Sequence, residues 1–275
     1  MKRYTILGAI VITFMTGNAT DFSPAVKLNL PTAGAHPILS PDASKMLYTT
    51  DNHCGLSMVD LNTMHTTVID ESMAAGNNPA FSPDANSIVY RTASTNDGLL
   101  VHDIRVYDLN EGKSKVKAQY SRSTAEPIEY TGSTNYAIDR YHDILVCHDG
   151  VSKKISPLPD AHSYLWASLS PDGKHLLFTE PFKGVYVANA DGSNPVLLAP
   201  KGDYASWVND NTIVYVLSHD DGYIILDSSL MAINIDGTEA RQLTPNDMIV
   251  GEASAANNHI VFSTISGDLY LINAK

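Results

Sequence analysis

An apolar residue, a Ser-Pro-Asp turn and a short apolar run recur three times along this chain, as LSPDASKMLY (39–48), FSPDANSIVY (81–90) and LSPDGKHLLF (169–178). A hairpin phrase repeated at roughly 40–45 residues restricts the fold to arrays, because one such unit cannot bury its apolar face alone and must stack on copies of itself. A second signature recovers the copies that the first misses. Short apolar strands ending in Asp or Asn occur at LSMVD (56–60), IRVYD (104–108), LVCHD (145–149), VYVAN (185–189), LMAIN (230–234) and LYLIN (269–273). Together they define six repeats.

Each repeat reads as four strands. In the fourth they are SYLWASL (163–169), HLLFTE (175–180), GVYVANA (184–190) and PVLLAP (195–200), parted by Ser170-Pro171-Asp172-Gly173, Lys183-Gly184 and Asp191-Gly192-Ser193. The punctuating residues are turn formers: Gly takes positive φ, Pro presets φ, and Asp bonds the backbone ahead of it. Between them Val, Ile, Leu and Tyr dominate, as in short strands. Beyond the N-terminal region no segment sustains a helical period, so the chain is read as all-β. Six repeats of four antiparallel strands predict a six-bladed β-propeller. The last repeat stops after its third strand, while AVKLNLP (25–31) stands as an orphan strand before the first blade. Laid on the sixth blade, it completes that blade and closes the ring.

Residues 1–19 are set apart from the propeller at 20–275. Lys2 and Arg3 precede an apolar run from Ile6 to Phe14, and Gly17-Asn18-Ala19 supplies small residues for a cut, the anatomy of a secretory signal peptide. The run is too short to span a bilayer, and no later stretch approaches the ~18 apolar residues that a membrane helix needs. No Cys follows the cut to carry a lipid anchor. An exported protein, periplasmic or extracellular and without a transmembrane segment, is the expectation. The formal charge of −12 becomes two units more negative without Lys2 and Arg3, which disfavours nucleic acid and anionic lipid as partners. Cys54 and Cys147 fall in non-adjacent repeats and are expected to be unpaired.

The turns NADGSNPVLL (189–198) and NIDGTEARQLTP (234–245), the Ser-Pro-Asp hairpins and the Trp-led SWVNDNTIVY (206–215) resemble the WD40-like repeat of the TolB-like six-bladed β-propellers. Blades one, two, four and five carry the resemblance; blade six has Ala255-Ala256-Asn257 at its turn, and blade three (127–157) departs most. Only a short arm precedes the first blade, so the resemblance implies a propeller without the N-terminal domain of TolB. Prolyl peptidases join similar propellers to a serine hydrolase; no such domain and no Gly-x-Ser-x-Gly elbow follows here. These motifs are structural turns and specify fold more than function.

Chemistry is sparse. The chain has 10 His, but His142-Asp143, His148-Asp149 and His219-Asp220-Asp221-Gly222 show none of the tight pairs typical of zinc sites. No catalytic residue, metal ligand or cofactor is assigned. What remains is the mouth of the central channel, ringed by the residue at the start of each innermost strand. Counting four residues back from the Ser-Pro-Asp turn gives His36, Asn78 and Trp166, and the approximately matching places in blades three, five and six are Glu126, Tyr204 and Glu252, a set able to hold a peptide or a sugar by hydrogen bonding and stacking. Thr92–His102 in blade two and Ser218–Asp227 in blade five are read as long polar loops suited to recognition. The expected function is a non-catalytic, monomeric binding or scaffold propeller for a protein or peptide partner in the bacterial envelope. The alternative is a metal-dependent carbohydrate enzyme similar to the oligogalacturonate lyase propellers.

Overall fold

The computed structural model describes residues 20–121, 135–140, 142–161 and 163–275. The signal-peptide reading of 1–19 and the mouth position Glu126 lie outside them. The described residues are all-β and fall into six sheets.

A short strand β1 (Val26–Lys27) precedes blade one, which comprises β2 (Ala35–Leu39), β3 (Lys45–Thr49), β4 (Leu56–Asp60) and β5 (Thr66–Asp70). Blade two has β6 (Ala80–Phe81), β7 (Ser87–Asn96), β8 (Leu99–Asp108) and β9 (Lys113–Ser121). Blade three contributes β10 (Tyr136–Arg140), β11 (Asp143–His148) and β12 (Val151–Ile155). In blade four lie β13 (Leu165–Leu169), β14 (His175–Glu180), β15 (Gly184–Asn189) and β16 (Val196–Pro200). Blade five is built from β17 (Gly202–Trp207), β18 (Thr212–Asp220), β19 (Ile225–Asn234) and β20 (Arg241–Gln242). Blade six holds β21 (Val250–Ala256), β22 (His259–Thr264) and β23 (Leu269–Asn273), with β1 antiparallel on its outer edge. The ring is therefore closed by the N-terminal strand. Its pairing begins earlier than the sequence suggests: Phe22 bridges Ala274, Ser23 donates to the Asn273 carbonyl, and the last ladder bond runs from Leu28 N–H to Leu269. Asn29 to Pro31 have no ladder, because β23 starts at Leu269 and the Gly267-Asp268 turn lies beyond it.

The repeated phrases are solved turns. In Ser40-Pro41-Asp42, Ser82-Pro83-Asp84 and Ser170-Pro171-Asp172 the Ser hydroxyl donates to the Asp carboxylate two residues on, at 2.6, 2.5 and 2.7 Å. The same hydroxyl oxygen accepts the N–H of the residue five ahead, at 3.0, 2.9 and 3.0 Å. Each Asp in turn accepts a backbone N–H two residues further on. Lys174, then the Ser170 hydroxyl, hold the Asp172 carboxyl down at about 2. The strand-ending Asp and Asn cap the following turn: Asp60 accepts from Asn62 and Thr63 N–H, Asp108 from Asn110 and Glu111. Asn189 and Asn234 instead donate to Ser193 and Thr238. Both sequence signatures thus exist to satisfy backbone groups where strands reverse.

The apolar core lies between blades. Val208, Val214 and Leu230 of blade five pack on Val250, Ile260 and Phe262 of blade six, and similar clusters join blades three to four, four to five, six to one and one to two. Cys54 and Cys147 are free, Cys147 being buried.

The two loops expected in blades two and five are strands. β7 and β8 stay paired to Asn96↔Leu99 around a two-residue Asp97-Gly98 turn with positive φ at both positions. In blade five the ladder continues to Asp220↔Ile225. Thr92, Ser94 and Thr95 are polar, but Thr is β-branched and suits an extended hairpin closed by Asp-Gly.

Candidate functional site

Antiparallel blades place the start of every innermost strand and the turn between the second and third strands at one end of the ring. Four of the six mouth residues share an unusual backbone there: His36, Asn78, Trp166 and Tyr204 have φ of 51, 51, 52 and 50°. Left-handed φ is strained for bulky side chains. At Trp166, His36 and Tyr204 its cause is a bulge in the first strand. Between Leu165↔Thr179 and Ser168↔Leu177, Trp166 and Ala167 together face Phe178 alone. His36 and Pro37 face Tyr48 in the same way, and Tyr204 and Ala205 face Tyr215. The bulge re-aims the side chain out of the pleat. Glu252 stands at the same count from its turn, yet it lacks positive φ, because Ala253 pairs directly with Phe262 and the bulge slides back to oppose Ser263.

These bulges bring four predicted residues together across four blades. The Trp166 and Tyr204 rings lie 4.5 Å apart, centroid to centroid. Burial, and then the charge of neighbouring Glu252, push the Tyr204 phenol far above its usual range. Glu252 Oε1 lies 2.7 Å from His36 Nδ1, an ion pair between blades six and one. That hydrogen bond raises the His36 pKa above its ordinary 6.5 against the opposing effect of burial. His36 also stacks on His53 at 4.1 Å, and His53 sits in the second turn of blade one. Asn78 has the same positive φ but lies ahead of β6, whose register with β7 is regular; it is exposed and takes no part in this array.

Four participants escaped the sequence reading. His53 and Asp51 belong to the β3–β4 turn, and a propeller puts that turn beside the mouth, so the repeat map itself held the signal. Asp139 of β10 accepts from Ala167 N–H at 3.2 Å, tying blade three to the bulge of blade four, and burial raises its pKa. Ser228 of β19 carries no motif at all. Together with His36, Tyr204, Glu252 and Asp51 it lines a cavity of about 190 Å³ between blades five, six and one.

Apolar tips crown the same end. Phe182 is 103% exposed and Tyr223 95%, with Leu99, Ile224 and Ile265 also exposed, all in or beside second-to-third strand turns. Among the described turns at the opposite end, Met64 is the one exposed large apolar side chain. Among the described residues no group of three His, Cys, Asp or Glu side chains is placed to hold a metal ion. His219 and Asp227 form an exposed pair at 2.8 Å on the blade-five hairpin. No helix among the described residues is long and apolar enough to cross a membrane.

Six stacked antiparallel blades, five of four strands and one of three among the described residues, closed by an N-terminal strand define a six-bladed propeller. Its fold is TolB-like. Solved structures that share it include TolB from Acinetobacter baumannii, with a TM-score of 0.57 and 20% identity over 80% of this chain and 55% of that one. A putative TolB from Agrobacterium tumefaciens gives 0.58 and 13% over 93% and 98%, and the tricorn protease 0.53 and 16% over 88% and 25%. The chain thus spans little more than half the length of the Acinetobacter protein. No family model and no curated protein matches the sequence. At such identities the likeness is one of fold, as the turn motifs implied.

Proposed function

We propose that this chain is an exported, non-catalytic propeller that binds a protein or peptide across its mouth, as a monomer in the periplasm or outside the cell. The observation that carries this reading is the array Trp166–Tyr204–Glu252–His36, in which residues from four blades converge at one end of the ring. Aromatic faces, a hydrogen-bonded ion pair and rigid strands beneath them are what a recognition surface needs. Exposed apolar tips on turns at the same end add apolar area to the face that a partner would meet. Export is supported by the positive start, apolar run and small residues of the first 19 positions.

The test is retention of an envelope protein by the immobilised propeller, compared with the Trp166→Ala/Tyr204→Ala double variant whose melting is checked in parallel. Removing two aromatic anchors should weaken retention at least about tenfold. Undiminished retention by the folded variant would move the binding surface elsewhere.

A further inference from the structure

The cavity beside the mouth has a chemistry of its own. Its walls are aliphatic, from Val216, Ile225, Val250 and Ile265, and its polar groups include the Asp51 and Glu252 carboxyls, the Tyr204 phenol and the Ser218 and Ser228 side chains. At about 190 Å³ it has the room of roughly six waters. That admits one long side chain and is too small for a whole peptide or a drug-sized ligand. Ser228 is only 2% exposed, and its hydroxyl makes no hydrogen bond. A buried hydroxyl without a partner costs free energy unless something bound there completes it.

The sign of the charge decides the ligand. Asp51 and Glu252 contribute two carboxylates and His36 at most one positive charge, so the cavity holds a net negative charge in either state of the imidazole. The chain's overall −12 reinforces this. Four aliphatic walls suit a methylene stem, while the carboxylates and free hydroxyl suit the charged head that ends it.

We propose that this cavity between blades five, six and one takes the lysine or arginine side chain of the bound partner, its stem against Val216, Ile225 and Val250 and its charge on Glu252, Asp51 and Ser228. The proposal rests on the reading that the mouth binds a protein or peptide. His36 regulates the pocket. A second cation close to the Glu252 carboxylate competes with the imidazolium, so ligand affinity rises with pH as His36 loses its proton, and saturation with ligand lowers the His36 pKa. The titratable groups facing His36 are Glu252 and Asp51, with His53 stacked on its ring.

The experiment is a methyl NMR titration of residues 20–275 with four capped amino acids: the N-acetyl amides of lysine, arginine, norleucine and glutamate. Lysine and arginine probes should shift the methyls of Val216, Val250, Ile225 and Ile265 saturably, with norleucine and glutamate at least fivefold weaker. Glu252→Gln should weaken the lysine probe by roughly five- to tenfold. Ser228→Ala, which removes a hydroxyl bonded to nothing, should leave melting unchanged and weaken the probe about two- to threefold. Norleucine binding as well as lysine, preference for glutamate, or no methyl shift with any probe would each overturn the proposal. If the probes fail while retention of the envelope partner still depends on Trp166 and Tyr204, the basic-side-chain pocket falls and the mouth reading stands.

Discussion

His36 shows how one residue joins fold to recognition. Its positive φ turns the imidazole out of blade one, and Glu252 of the next blade receives it. The pKa raised by that hydrogen bond has a definite consequence for stability. A folded-state pKa above the unfolded value means that the pair stabilises fully below pH 6.5 and that this contribution is lost as pH rises through the folded pKa. We expect the His36 ring protons to titrate with a midpoint above 6.5, and Glu252→Gln to lower it, since burial opposes the charge and only the smaller effects of Asp51 are left to favour it. A native midpoint at or below 6.5 would show that the ion pair does not form in solution. The types of the mouth residues were legible from counting back along each repeat. Their bulge was less so: positive φ at Trp166 or Tyr204 is no preference of an aromatic side chain, and it arises because a buried Phe178 or Tyr215 sits opposite. Ser228 was invisible because its role comes from tertiary placement alone.

At the level of the element, the approach to the mouth imposes a further requirement in blades one, two and five. Gly34, Gly76 and Gly202 lie two residues before His36, Asn78 and Tyr204. A Cβ there would come within 2.7 Å of Tyr48, 2.0 Å of Thr49 and 2.8 Å of Tyr215 respectively. Gly76 is the tightest, because Thr49 is buried and its hydroxyl is committed to the Gly55 carbonyl. Gly76→Ala should therefore destabilise the protein by about 1–3 kcal/mol through overpacking, read as a lowered denaturant midpoint with unchanged slope. An unchanged midpoint would mean that the segment entering blade two is free to move, and Asn78 with it. Turns were the most legible elements, since Ser, Asp, Asn and Gly solve local hydrogen-bonding problems with their own side chains. The extended hairpins of blades two and five were not, because their strands run out beyond the core, where polar and exposed apolar residues mix without alternation, and only the Asp97-Gly98 pair betrays the first.

For the whole molecule, the repeat count, the closed ring and the TolB-like fold follow from two phrases and an orphan strand, and the structure bears all three out. Function is less legible because every repeated residue serves a turn or a blade interface. The informative residues are the ones that break the repeat, and they meet at one end only. A ring with an array of aromatic and charged groups and apolar tips at one end, and polar turns at the other, is built to be approached from one side. The most direct measurement places a photoreactive phenylalanine analogue in turn at Phe182, on the mouth end, and at Asn110, in the β8–β9 turn of the opposite end, and exposes each protein to envelope extract. Crosslinking of one and the same partner from position 182 and none from position 110 is the predicted result. Capture from position 110 alone, or equally from both, would contradict a mouth-directed binding propeller.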